Sequence, residues 1–445
     1  MSFIDIFVRD FSKQSFEGVS TFDITKLLPR ATFDITSAIE KVQPMLDKVK
    51  TDGEKALWEF AKAFDDVDQN PQNGGSGTKV PNSALKQAYD ELDKDVRSAL
   101  EVAKARIEKV HRDQMPSEHV TEVDEGAKVS QRWLPVKRVG LYVPGGLAVY
   151  PSSVLMNVIP AKIAGVKSIM VATPAQKEFG GLPHPTILAA CYMLGVEEVV
   201  AAGGAGAVAL MAYGVEGIDP VDVITGPGNI YVAAAKQLVQ GVVGIDAVAG
   251  PTEVGIIASR AANPKYVAAD MISQAEHDPF AASVLFTDSP WLIEEVKREL
   301  NLQAERTKHS VRVQEALNGV QSALILTKDL ADAIRLANAY GAEHLEIHTE
   351  NPEATARAID NAGAIFVGSY SPVPLGDYIG GSNHVLPTGG TSRFSSGLSV
   401  FAFLRSVQQI EYSKEALLSV AKDLNALAED ENLPAHGMGV LARFE

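Results

Sequence analysis

Between residues 138 and 250 short apolar runs alternate with stretches of helical periodicity, and this alternation restricts the fold more than any other feature of the chain. Residues 139–143, 168–172, 198–201 and 222–225 read as strands, each followed by a helical stretch. Strands joined through helices require crossover connections and hence a parallel sheet. A further alternating series, at 254–258, 282–286, 323–326, 345–347 and 363–367, predicts a second α/β unit. Residues 35–64 and 82–111 carry apolar side chains at three-and-four spacing and are predicted helical, with a solvated loop at 68–77 between them. Residues 376–397 are polar, glycine-rich and aperiodic, and loops of that length in compact domains are usually functional or disordered. Residues 413–427 are helical again.

Charge narrows the choice of partner. The 445 residues carry 56 acidic and 40 basic side chains, a formal net charge of −16. Like charge repels phosphate backbones and anionic lipid, so nucleic acid and membrane surfaces are poor partners. Cys191 is the only cysteine, which removes disulfide frameworks and cysteine-based zinc or iron–sulfur sites. Asp5, Arg9 and Asp10 interrupt the stretch that a signal peptide keeps apolar, so a reducing, cytoplasmic location is expected. The longest uncharged run, 139–161, is broken by Pro144, Pro151 and Pro160 and reads as strand, loop and helix rather than a membrane span.

Several motifs carry chemistry. Gly204-Ala-Gly206-Ala-Val-Ala209 follows a strand and opens a helix, where a dinucleotide fingerprint belongs, although tight turns demanded by the fold give the same pattern. Val143-Pro-Gly-Gly146 and Thr225-Gly-Pro-Gly-Asn229 also follow strands, and glycine-freed amides with helix N-termini behind them suit a pyrophosphate. Gln274 and His277 share a helix face, as half of a nitrogen-and-oxygen site for zinc or a similar ion, or as residues finishing a helix end. In Glu343-His344-Leu-Glu346-Ile-His348 a strand puts the two histidines and Glu346 on one face. That face fits a half-buried strand with a solvated side, and alternatively a metal site. Adjacent Glu343 and His344 also suit acid–base work. A zinc deaminase is excluded, because its Pro-Cys-x-x-Cys half cannot exist here. Cys191 lies in an apolar helical stretch and is expected to be buried and inert. For His384, beside Asn383, a catalytic and a turn-stabilising role remain open.

Gly140-Leu-Tyr-Val-Pro-Gly-Gly146, Tyr150-Pro-Ser-Ser153, Gly226-Pro-Gly-Asn229, Ser273-Gln-Ala-Glu-His-Asp278, Ala342-Glu-His-Leu345, Leu375-Gly-Asp377, Asn383-His-Val-Leu-Pro387 and Leu433-Pro-Ala-His-Gly437 together resemble histidinol dehydrogenase. The resemblance covers nearly the whole chain and is most specific from 138 to 397. Gly381-Ser-Asn-His384 and Ser395-Ser-Gly-Leu398 point to the high-G+C Gram-positive form. It implies an α/β fold of two incomplete Rossmann-like parallel-sheet domains, aldehyde-dehydrogenase-like, with helical N- and C-terminal extensions. The expected division is an extension at 1–30, a larger α/β domain at 31–138 plus 253–395, an inserted domain at 139–252, and a helical arm at 396–445 contacting the partner of a homodimer.

The resemblance further implies zinc-dependent, four-electron oxidation of L-histidinol through L-histidinal to L-histidine with two NAD, the last step of histidine biosynthesis. By motif, one zinc per subunit falls to Gln274, His277, Asp377 and His436, and the acid–base pair to Glu343 and His344. Thr252, where relatives often carry serine, and Glu431 join the zinc ligands and His344 as substrate contacts; Tyr142, Gly206 and Asn229 fall at the NAD contacts. Gly206 stands where the family loop Gly-Gly-Ala-Gln carries glutamine, and an amide hydrogen bond of about 1 kcal/mol predicts weaker NAD binding than in glutamine-bearing relatives. Other readings are an enzyme for a different small polar alcohol, a zinc hydrolase and a non-catalytic binding protein. Glu431, Thr252 and His436 favour histidinol, and the Glu343 and His344 pair speaks against a protein without turnover.

Overall fold

The computed structural model describes residues 3–31, 35–145 and 149–445, so Gly146 of the Val143-Pro-Gly-Gly146 junction lies outside the described residues. Its strands are β1 (Phe7–Asp10), β2 (His119–Asp124), β3 (Ala127–Pro135), β4 (Arg138–Tyr142) and β5 (Ser168–Thr173). They continue with β6 (Glu198–Ala201), β7 (Val223–Thr225), β8 (Gly244–Ile245), β9 (Glu253–Ala258) and β10 (Ala282–Thr287). The last are β11 (Ala323–Leu326), β12 (His344–His348), β13 (Ala364–Val367) and β14 (Leu404–Tyr412).

Two parallel sheets organise the molecule. The smaller has five strands in the order β6-β5-β4-β7-β8, the larger six in the order β1-β11-β10-β9-β12-β13. Every neighbouring pair in both runs parallel. Helices cover both faces of each, which is why the inner strands are continuous apolar runs and were readable from sequence. On one face of the larger sheet Leu285 and Leu324 pack with Met271, Val296 and Val313; on the other, Val284 and Ile325 pack with Leu336 and Tyr340.

The helices before residue 113, grouped above with the larger domain, pack instead on the smaller sheet. Val42 and Leu46 of Ile35–Asp52 and Leu57 of Glu54–Phe64 share a core with Met170, Val208 and Val232. Leu85 of Asn82–Asp90 and Ile107 of Lys94–Asp113 share another with Leu141, Val154 and Leu188. An amphipathic stripe needs an apolar face to cover, and nothing in its own periodicity names which face that is. Residues 1–30 are likewise less separate than expected, because β1 forms an edge of the larger sheet beside β11.

A third sheet, antiparallel, runs β14-β3-β2 and joins the chain before residue 138 to the chain after 403. It was invisible in the sequence: all six residues of β2 are exposed, so no apolar alternation marks it. From it emerges an arm, helix Lys414–Asp430 followed by Pro434–Leu441, packed chiefly against one another. Among the described residues no helix is long and apolar enough to cross a membrane.

Candidate active site

Ligand sites in parallel sheets usually sit at the carboxyl ends of strands. In the smaller sheet the Gly204 and Gly226 turns follow the carboxyl ends of β6 and β7. In the larger sheet Thr252, Glu343 and His344 stand instead at the amino ends of β9 and β12. Residues 246–252 run directly from one set to the other. The N-terminus of helix Pro151–Ala164 also reaches across, with Ser153 Oγ 3.1 Å from His384 Nε2.

At the larger sheet, helix Pro264–Ala275 is capped by the Asn263 side chain and opened by proline, and it ends at the site. Gln274, in its last turn, is buried; its Nε2 donates to Thr252 Oγ1 at 2.9 Å, which leaves Oε1 buried without a partner. His277 follows the helix, with Nδ1 3.2 Å from the Gln274 carbonyl oxygen. A carbonyl only accepts, so Nδ1 carries the proton and Nε2 keeps its lone pair. Asp377 comes from the short π-turn Leu375–Ile379.

Thr252 serves two neighbours. Its hydroxyl accepts from Gln274 and donates to Glu343 Oε2 at 2.5 Å, and the same carboxylate oxygen accepts from Glu253 N at 2.9 Å. Burial pushes the Glu343 carboxyl up to about 7, against the lowering effect of Thr252 and the Glu253 amide. His344 is buried, and burial pushes its pKa down. Its Nδ1 is 3.6 Å from Glu343 Oε2 and its Nε2 3.8 Å from Asp377 Oδ1, both beyond hydrogen-bonding distance, so neither carboxylate occupies the ring. His277 is close enough to bear electrostatically on Glu343, His344 and Asp377.

The alternating face of β12 is not solvated as the half-buried reading had it. All five residues of β12 are buried, because the strand lies between β9 and β13 with helices on both sides. His384 is held on both ring nitrogens: its Nδ1 meets the Asp377 carbonyl oxygen at 3.1 Å and its Nε2 the Ser153 hydroxyl, and burial pushes its pKa down to about 4. Cys191 is fully buried with its thiol pushed up to about 12, as the inert reading expects.

The smaller sheet brings Tyr142 to the Gly204 turn, where the Gly204 amide donates to Tyr142 Oη at 3.1 Å. Asn229 caps helix Ile230–Val239, its side chain accepting from Tyr231 N and Val232 N. Gly226 has φ +120°, and a Cβ there would meet the Tyr142 carbonyl oxygen at 2.0 Å, so only glycine fits. A buried ion pair absent from the sequence reading, Lys236 with Asp246, grips this turn: Asp246 Oδ2 accepts from Gly226 N at 2.8 Å and Lys236 Nζ donates to Gly226 O at 3.1 Å. Arg30 with buried Glu253 is a second such pair, 3.0 Å apart. Single charged residues 10 and 223 positions apart carry no periodic pattern that would announce either pair. Gly206 is buried, and a Cβ on it would lie 3.0 Å from Phe60 Cδ2.

Two expected members are elsewhere. Glu431 and His436 are exposed on the arm, and among the described residues neither side chain has a hydrogen bond or ion pair to the site. A single chain therefore assembles Thr252, Gln274, His277, Glu343, His344 and Asp377.

Two parallel sheets covered by helices on both faces, with Thr252, Gln274, His277, Glu343, His344 and Asp377 gathered at the larger, place the chain in a class of α/β proteins built on two Rossmann-like sheets. The family model for histidinol dehydrogenase matches residues 28–444. The chain is 54% identical over 419 residues to the histidinol dehydrogenase of Streptomyces avermitilis, covering 94% of each chain. It is 53% identical over 428 residues to that of Corynebacterium glutamicum, covering 96% of each. The crystal structure of histidinol dehydrogenase from Elizabethkingia anophelis superposes with a TM-score of 0.90 at 31% identity, covering 100% of this chain and 98% of that one. The chain belongs to the histidinol dehydrogenase family.

Proposed function

We propose that the protein oxidises L-histidinol to L-histidine through L-histidinal, using two NAD and one zinc per subunit, in the cytoplasm, as the last step of histidine biosynthesis. The observation that carries the zinc reading is the buried Gln274 Oε1, which has no partner while its amide nitrogen is held by Thr252. An orphaned buried acceptor costs about 1–3 kcal/mol, and a cation at that atom removes the cost. His277 Nε2 and the Asp377 carboxylate complete three donors of the kinds zinc takes, and the His277 Nδ1 contact to a carbonyl is the usual outer support of a metal-binding imidazole.

When bound, zinc supplies a fixed anchor for the substrate's imidazole and amine, and NAD accepts hydride. His344 takes the hydroxyl proton as hydride leaves the carbinol carbon. Glu343 takes a proton from water as the water adds to the aldehyde, a second hydride then leaves the hydrate anion to give the acid, and the acid loses its proton to solvent as the carboxylate. The tight turns at Gly204 and Gly226, with Tyr142 and Asn229, hold the cofactor on the smaller sheet. The fourth zinc donor, His436, and the substrate contact Glu431 come from the arm of a second subunit. Exposed Leu418, Leu427, Leu433 and Met438 on that arm supply apolar surface for such a homodimer. NAD reduction with L-histidinol, lost on chelation and regained with zinc, tests the assignment; turnover untouched by exhaustive chelation overturns the metal's part.

Thr252→Val is expected to raise the zinc dissociation constant about tenfold, because the Gln274 amide loses its orienting partner, while Thr252→Ser stays near wild type. Competition against a chromogenic chelator measures both. At position 206, Gly206→Gln alone has to displace Phe60, at a cost of about 1–3 kcal/mol. A lowered NAD KM is therefore expected only when Phe60→Ala accompanies it, which thermal melts and NAD titrations of the single and double variants check.

A further inference from the structure

Behind the site lie three titratable side chains that the chemistry above leaves unused, Glu346 and His348 buried and Asp270 half-buried. Asp270, Glu346 and His348 turn ligand atoms toward one another, all within 4.8 Å. His348 Nε2 is 3.4 Å from Glu346 Oε2 and 3.8 Å from Asp270 Oδ2. The other Glu346 oxygen accepts a hydrogen bond from Val373 N at 2.8 Å.

Each contact joins an element that carries the site. Residues two apart on a strand share a face, so Glu346 and His348 stand behind His344 on β12. Residues four apart on a helix share a face, so Asp270 stands one turn behind Gln274 on Pro264–Ala275. Two strand residues span about 6.6 Å and one helical turn about 5.4 Å, so strand and helix meet as two rungs. The front rung is Gln274 with Thr252, Glu343 and His344; the rear is Asp270 with Glu346 and His348. Val373 lies four residues before Asp377 and draws that segment to the rear rung as well.

We propose that Asp270, Glu346 and His348 are positioning residues, a clasp that holds the helix bearing Gln274 and the segment bearing Asp377 against the strand bearing His344, and so sets the spacing of the metal donors from behind. The clasp rests on the zinc reading above. Burial and the nearby Glu346 push the Asp270 carboxyl up to about 8, so near neutrality it keeps a proton to give to Glu346, and the two acids attract rather than repel.

The test compares full-length wild type, Asp270→Ala, Asp270→Asn and His348→Phe. Zinc affinity is read by competition with a chromogenic chelator, beside kcat, KM and thermal melting. Asp270→Ala and His348→Phe are expected to raise the zinc dissociation constant about tenfold, with kcat recovered at saturating zinc. Asp270→Asn still offers an N–H to Glu346 and is expected to remain within about twofold of wild type. Unchanged zinc affinity in both disruptive variants, or an asparagine variant as weak as alanine, overturns the clasp alone. A second zinc equivalent in wild type that disappears in Asp270→Ala also overturns it, making the three residues a metal site in their own right. Failure of wild type to bind any zinc overturns the zinc reading and the clasp with it.

Discussion

His344→Asn is expected to reduce NAD reduction from L-histidinol by about 10³-fold, while Glu343→Gln leaves the first oxidation measurable and chiefly slows the conversion of supplied L-histidinal to acid. The difference follows from surroundings. Neither ring nitrogen of His344 is within hydrogen-bonding distance of Glu343 or Asp377, so neither carboxylate takes up its base strength before a hydroxyl arrives. Glu343 has one oxygen tied to Thr252 and the Glu253 amide and a pKa raised by burial to about 7, which suits a base for water at neutral pH. Stopped-flow traces with the alcohol and with the aldehyde separate the two steps. A Glu343→Gln enzyme that oxidises the aldehyde at the wild-type rate would show the division of labour to be wrong.

Mixing two inactive proteins is expected to restore activity. His436→Ala lacks a donor that the arm would deliver to its neighbour, whereas His344→Asn lacks the base in its own site. If sites are completed across a two-fold dimer, each mixed dimer has one intact site of two, which gives the doubly tagged species about half of wild-type activity. Each variant alone stays inactive. Co-expression with two affinity tags, followed by assay of the doubly purified species, measures this; a mixed dimer as inactive as its parents would assign His436 to its own subunit's site or to none.

Most of the two parallel sheets was legible because burial on both faces writes strands such as β4, β5, β9 and β10 as unbroken apolar runs. Local spacing likewise announced Gln274 with His277 and Glu343 beside His344. What failed to show in the sequence was whatever depends on partners distant in the chain. Strand β2 is exposed throughout and owes its existence to β3. The stripes of Ile35–Asp52 and Lys94–Asp113 declared helices but not the sheet they cover. Thr252 was marked as a substrate contact, yet its orienting bonds to Gln274 and Glu343 bridge residues 22 and 91 positions away. Periodicity gave β12 the right face and the wrong environment, since alternation alone does not distinguish polar groups paired in the interior from polar groups in water.

The opposed edges of the two sheets sort charge without spending side chains on it. Helix Pro264–Ala275 reaches the site with its carboxyl terminus, and helix Leu330–Tyr340 ends just before Glu343, so the macrodipoles present partial negative charge there, the sign that the proposed amino alcohol and metal ion would need. Across from them, helices Gly204–Tyr213 and Ile230–Val239 offer their amino termini, whose partial positive charge favours a dinucleotide's pyrophosphate. In a molecule with a net charge of −16, the direction in which the backbone enters would thus sort the proposed anionic cofactor to one rim and the proposed cations to the other.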